Sequence, residues 1–77
     1  MDMPKYLESR GWRRDGMSRR YTSQSTMTAA RWRKGEYVIS IYARMWVEIS
    51  DDDGKIYEGQ LLTEEFADQL MEALGIT

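Results

Sequence analysis

The side chains best suited to chemistry fall into three groups. Arg13, Arg14, Arg19 and Arg20 stand together with Trp12 and Tyr21. Cations for phosphates and rings for stacking are what nucleic-acid binding needs. Asp51, Asp52 and Asp53 precede Gly54, but a calcium loop spaces its carboxylates at alternate positions and closes on a distant glutamate. Three consecutive aspartates before glycine read instead as a solvated turn. Glu36, Glu48 and Glu58 are the remaining material for an acid–base pair. The chain has neither histidine nor cysteine. It therefore lacks the commonest general base, the thiol nucleophile and the usual transition-metal ligands. No glycine-rich phosphate loop is present. The expectation is a protein that is not an enzyme and carries no cofactor or metal.

What positions these residues is easier to read. Every odd position from Tyr37 to Ile49 is apolar, within EYVISIYARMWVEIS, Glu36–Ser50. Side chains alternate faces along a strand, so this row predicts one long strand with a continuous apolar face. Met27–Arg33 reads as a strand paired to it through a Lys34-Gly35 turn, with Trp32 beside Tyr37 and Arg33 opposite Glu36. A three-residue loop, Asp52-Asp53-Gly54, leads into a further strand, pairing Tyr57 with Ile49 and Gly59 with Val47. Trp12–Tyr21 reads as a hairpin about Asp15-Gly16, and Thr22–Ser25 as a polar connection.

Two helices complete the reading. Pro4 opens a short one that ends before Gly11. Thr63–Leu74 is longer: Thr63 caps it, Glu64 and Glu65 favour its positive end, and Phe66, Leu70 and Leu74 make an apolar stripe. The fold class is α+β, a single domain over residues 1–77. An antiparallel sheet of four or five strands carries the C-terminal helix on one face, with the short N-terminal helix besides.

The opposite face of the sheet is then open. On it the register gathers Met27, Arg31, Tyr42, Arg44 and Trp46, residue types enriched where proteins bind proteins. The chain reads first as a protein-binding module using this patch, with a homodimer through the same face as a variant. The second reading is a nucleic-acid binder working through Arg13, Arg14, Arg19 and Arg20. Charge is divided along the chain: residues 1–34 hold nine cations against three carboxylates, and residues 35–77 hold two against ten. Such a division can give a dipolar surface that steers charged partners. No apolar run approaches the roughly 20 residues of a membrane span. The N-terminus lacks a secretory apolar core, and cysteine is absent, so a cytoplasmic setting is expected.

The long alternating segment, the acidic DDDG turn and the TEEFADQLMEALG helix together resemble small phage-encoded inhibitors, including some anti-CRISPR proteins. The resemblance implies a non-enzymatic inhibitor that occludes a surface of a larger host complex. It also implies an acidic surface able to imitate nucleic-acid phosphates, for which Asp51, Asp52, Asp53, Glu58, Glu64 and Glu65 are the candidates.

Overall fold

A computed structural model describes residues 1–21 and 26–76. The expected connection at Thr22–Ser25 lies outside the described residues. Five strands follow one another in an antiparallel meander: β1 (Arg13–Tyr21), β2 (Thr26–Lys34), β3 (Tyr37–Ile41), β4 (Trp46–Asp51) and β5 (Gly54–Gln60). Their order in the sheet is their order in the chain. Helix α1 (Met3–Ser9) precedes them and α2 (Glu64–Leu74) follows. The fold is α+β, as the pattern predicts.

The single long strand is corrected to a hairpin. β3 ends at Ile41, a 3₁₀ turn spans Ala43–Met45, and β4 starts at Trp46. The turn closes with the Tyr42 amide donating to the Trp46 carbonyl at 2.7 Å. It requires positive φ at both Arg44 and Met45, a conformation that costs an ordinary side chain about 1–2 kcal/mol. Alternation survives the turn because Ile41 pairs with Val47 and Ile39 with Ile49. Odd residues face odd residues, so both strands place the same set inward. A period of two cannot distinguish this hairpin from a continuous strand.

The other turns shift without changing faces. β2 meets β3 with Trp32 opposite Ile39 and Lys34 opposite Tyr37, so the two-residue loop is Gly35-Glu36, one position later than expected. β4 and β5 pair Val47 with Gly59 and Ile49 with Tyr57 as predicted, then slip at a bulge and close through Asp52-Asp53. Asp15-Gly16 makes no hairpin. β1 runs through it, and the register shifts between Arg14 and Met17. Gly16 has φ 72°, which serves a bulge as well as it serves a turn.

Both helices pack on one face. Met3, Tyr6 and Leu7 of α1 join Trp12, Trp32, Ile39, Val47, Ile49, Leu61, Ala67, Met71 and Ile76 in a single core. Asp2 caps α1 by accepting from the Lys5 amide. Thr63 caps α2 through the Phe66 amide, and Gly75 ends it in the left-handed conformation. The Ile76 amide then returns to the Met71 carbonyl at 2.9 Å, which carries buried Ile76 into the core. The stripe of α2 is rotated from the expected one. Ala67 and Met71 are buried, Leu70 and Leu74 half-buried, and Phe66 is 42% exposed. Trp32 Nε1 is buried with no partner among the described residues, a local cost of about 1–3 kcal/mol that the packing around its ring offsets.

These burials rank two truncations. Leu7→Ala empties a fully buried site and should cost about 2–5 kcal/mol in a urea titration. Leu70→Ala, at a half-buried site, should cost clearly less. Equal losses would mean that α1 is not anchored through Leu7.

Candidate functional site

With both helices on one side, the other face of the sheet carries no helix. Residues directly opposite in the register share a face, so its composition can be followed strand by strand. One row runs Arg13, Arg33, Val38, Ser50, Lys55. The next runs Arg31, Ser40, Glu48, Glu58. Ser18 and Ala29 share a third with Trp46 and Gln60 at the far side. The charges are sorted. Arginines lie toward the β1 edge, and the Glu48–Glu58 carboxylates, with Lys55 beside them, toward the β5 edge.

Each side is internally braced. Asp15 accepts from Arg33 Nε at 3.1 Å, and its carbonyl accepts from Arg31 Nε at 2.8 Å. Ser18 and Ser40 hydroxyls are hydrogen-bonded at 2.8 Å. Glu48 and Glu58 face each other as expected, and the Lys55 ammonium bridges them at 3.7 and 3.0 Å. That bridge engages both carboxylates, which suits a surface ion-pair cluster rather than an acid–base pair.

The predicted partner patch is only partly on the surface. Trp46 (38% exposed) and Met27 (41%) are open, and Arg31 is half-exposed. Tyr42 is corrected: it is 8% exposed, buried where β3 enters the turn. Arg44 is corrected too. It belongs to the turn rather than to a strand position between Tyr42 and Trp46, and its carbonyl accepts from Gln60 Nε2 at 3.2 Å.

The acidic candidates do not form one surface. Asp51, Asp52 and Asp53 sit at the β4–β5 turn, where the Asp53 amide donates to Asp51 Oδ1 at 2.9 Å. Glu64 and Glu65 open α2, beyond the opposite end of β5, a seven-residue strand and so roughly 20 Å away. Glu58 lies between. No three acidic groups among the described residues are placed to hold a metal ion. Of the basic candidates, Arg13, Arg14, Arg19 and Arg20 all lie on β1, an edge strand. They are spread along it rather than gathered at a hairpin.

Two concavities stand out among the described residues. A cleft of about 250 Å³ lies between the helices, lined by Tyr6, Trp12, Met71 and Ile76 with Arg10 and Asp68 at its rim. Small-molecule pockets usually run about 300–1,000 Å³. The polar groups at its rim bind each other. Asp68 accepts from the Tyr6 hydroxyl at 2.7 Å and from Arg10 at 2.9 and 2.8 Å, with the guanidinium 4.8 Å from the Tyr6 ring centre. This cluster fastens α1 to α2. The second concavity is a groove of about 350 Å³ at the start of β1. Comparison with known protein families, curated proteins and solved structures finds no match.

Met17, Leu62 and Phe66 are exposed apolar residues that the sequence does not place on the surface. Phe66 has the spacing of a core residue, and only the rotation of α2 reveals it. Met17 is masked by the bulge, which returns it to the same row as Ala30 and Ile41.

The fastening cluster predicts the pH response. Hydrogen bonds from Arg10 and then Tyr6 lower the Asp68 carboxyl from 3.8 to about 2. The stability it contributes is therefore present above 3.8 and lost as pH falls toward about 2. Burial, followed by the bond to Asp68, raises the Tyr6 hydroxyl above its ordinary 10.0, so its contribution is lost as pH rises beyond 10.0. Asp68→Asn should flatten the acid limb of a stability–pH profile. Tyr6→Phe should shrink the alkaline limb, to which Tyr37, also raised by burial, adds in the same sense.

Proposed function

We propose that this chain is a non-catalytic, cytoplasmic protein-binding module that contacts its partner through the helix-free face of the sheet. The observation that carries this reading is Trp46, a large aromatic side chain 38% exposed at the corner of a face that neither helix covers. Buried tryptophan and arginine dominate the energetics of protein interfaces. Arg31 and Arg33 stand on the same face, already held in position by Asp15. The sorted charges would orient a partner whose own surface is divided the opposite way. The arrangement suits an inhibitor that occludes a surface of a larger host complex, as the resemblance to small phage-encoded inhibitors implies. A second copy of the chain is the other occupant such a face would accept.

Trp46→Ala tests this directly. At a half-open position the change should leave the unfolding midpoint nearly unchanged. Partner binding or self-association should weaken by about 2–4 kcal/mol, read by calorimetry with the partner that co-purifies from the native host and by sedimentation for the chain alone. A variant that unfolds, or one that keeps full binding, defeats the proposal.

A further inference from the structure

We infer that the groove at the start of β1 is a binding site for a phosphate group, held by Arg13, Arg14, Arg33 and Lys34. The register places Arg13 directly opposite Arg33, and like charges across a strand pair repel. Arg14 and Lys34 line the same groove, and Asp15 is the one carboxylate among its lining residues. That carboxylate is engaged by Arg33 Nε at 3.1 Å, with Arg31 Nε at 3.6 Å.

The remaining donors are only partly used. Arg14 donates Nε to the Gly16 carbonyl at 3.0 Å, and Lys34 donates to the Arg10 carbonyl at 2.6 Å. Both contacts fix the stem and leave charged N–H groups over. Arg13 makes no hydrogen bond or ion pair among the described residues. Arg13 and Arg33 reach the groove from the helix-free face, and Arg14 and Lys34, paired with Trp32 and Tyr37, from the other; four cationic side chains in one lining exceed what a single carboxylate ligand would occupy. They match a phosphate, whose several oxygens accept from guanidinium forks and an ammonium together. Two glycines stand in the lining. Gly11 and Gly35 both line the groove with positive φ, and a side chain at Gly35 would project into open space. The site does not involve Trp46, although it shares Arg33 and Asp15 with the helix-free face.

Amide chemical shifts followed during titration with pyrophosphate at low salt test the inference. Saturable shifts are expected at residues 11–14 and 33–35. Arg13→Gln should weaken the apparent affinity about tenfold, the scale of one lost charge-assisted contact, and it removes a repulsion rather than a support of the fold. Arg19→Gln takes the same charge from the same strand outside the groove and should change affinity less than about twofold, as expected for a charge acting only at long range. Trp46→Ala should leave the titration unchanged. A parallel titration with a single-stranded oligonucleotide separates the sources. Tighter binding at the same amides with steep salt dependence assigns the phosphate to a nucleic-acid backbone. Saturation by pyrophosphate alone assigns it to a small free phosphate or diphosphate group. No localised saturation with either probe, or equal losses for Arg13→Gln and Arg19→Gln, overturns the site.

Discussion

The structure depends on one constraint: each connection must deliver the next strand with its apolar residues on the same side. Trp32, Ile39, Ile49 and Tyr57 form one row across four strands, and Ala30, Ile41, Val47 and Gly59 form another. A slip of one residue at any turn would send the corresponding apolar set to the other face. The devices that keep parity are specific. A bulge at Asp15-Gly16, a two-residue loop at Gly35-Glu36 and a strained turn at Arg44-Met45 each leave the pattern in phase. With the rows aligned, two helices can share one face, and the opposite face is left without a helix among the described residues.

That asymmetry gives the molecule its surface. Because the meander keeps sequence order, charge divided along the chain becomes charge divided across the sheet. A crossover connection would have interleaved the two halves. Here the β1 edge is cationic and the β4–β5 side anionic, and the local bridges of Asp15 and Lys55 temper each side without reversing it. The β1 edge also needs its arginines for another reason. An unpaired strand edge invites pairing with other chains, and charges and a bulge discourage it.

Much of this was legible in the sequence, and the losses have identifiable physical causes. Face assignment was robust, since Trp32, Ile39, Val47 and Ile49 all lie inward as alternation requires. Turn position was not, because glycine permits several loops that share one parity. Gly16 could serve a hairpin or a bulge, and Gly35 could sit first or second in its loop. The Arg44-Met45 turn carried no signal, since neither residue favours positive φ. Of the candidate site, Trp46 and Arg31 were placed on the helix-free face by parity alone. The burial of Tyr42 depends on the turn that parity could not reveal. The groove of Arg13, Arg14, Arg33 and Lys34 joins residues about twenty positions apart, and it appears only once Arg13 is set against Arg33.

The fastening of α1 to α2 has a consequence for how the molecule comes into being. Neighbouring strands pair soon after they are made, since every strand pairing in the sheet joins consecutive strands. The core closes differently. Met3, Tyr6 and Leu7 need Leu61, Ala67, Met71 and Ile76, and the Tyr6 hydroxyl and Arg10 wait for Asp68. During synthesis, when chains emerge N-terminus first, the cover over Trp32, Ile39 and Ile49 lacks the contribution of α2 until that helix arrives. The vulnerable interval is set by translation of the C-terminal quarter of the chain. A chaperone or a protease acting on the nascent protein would find its target there, and would lose it as α2 docks.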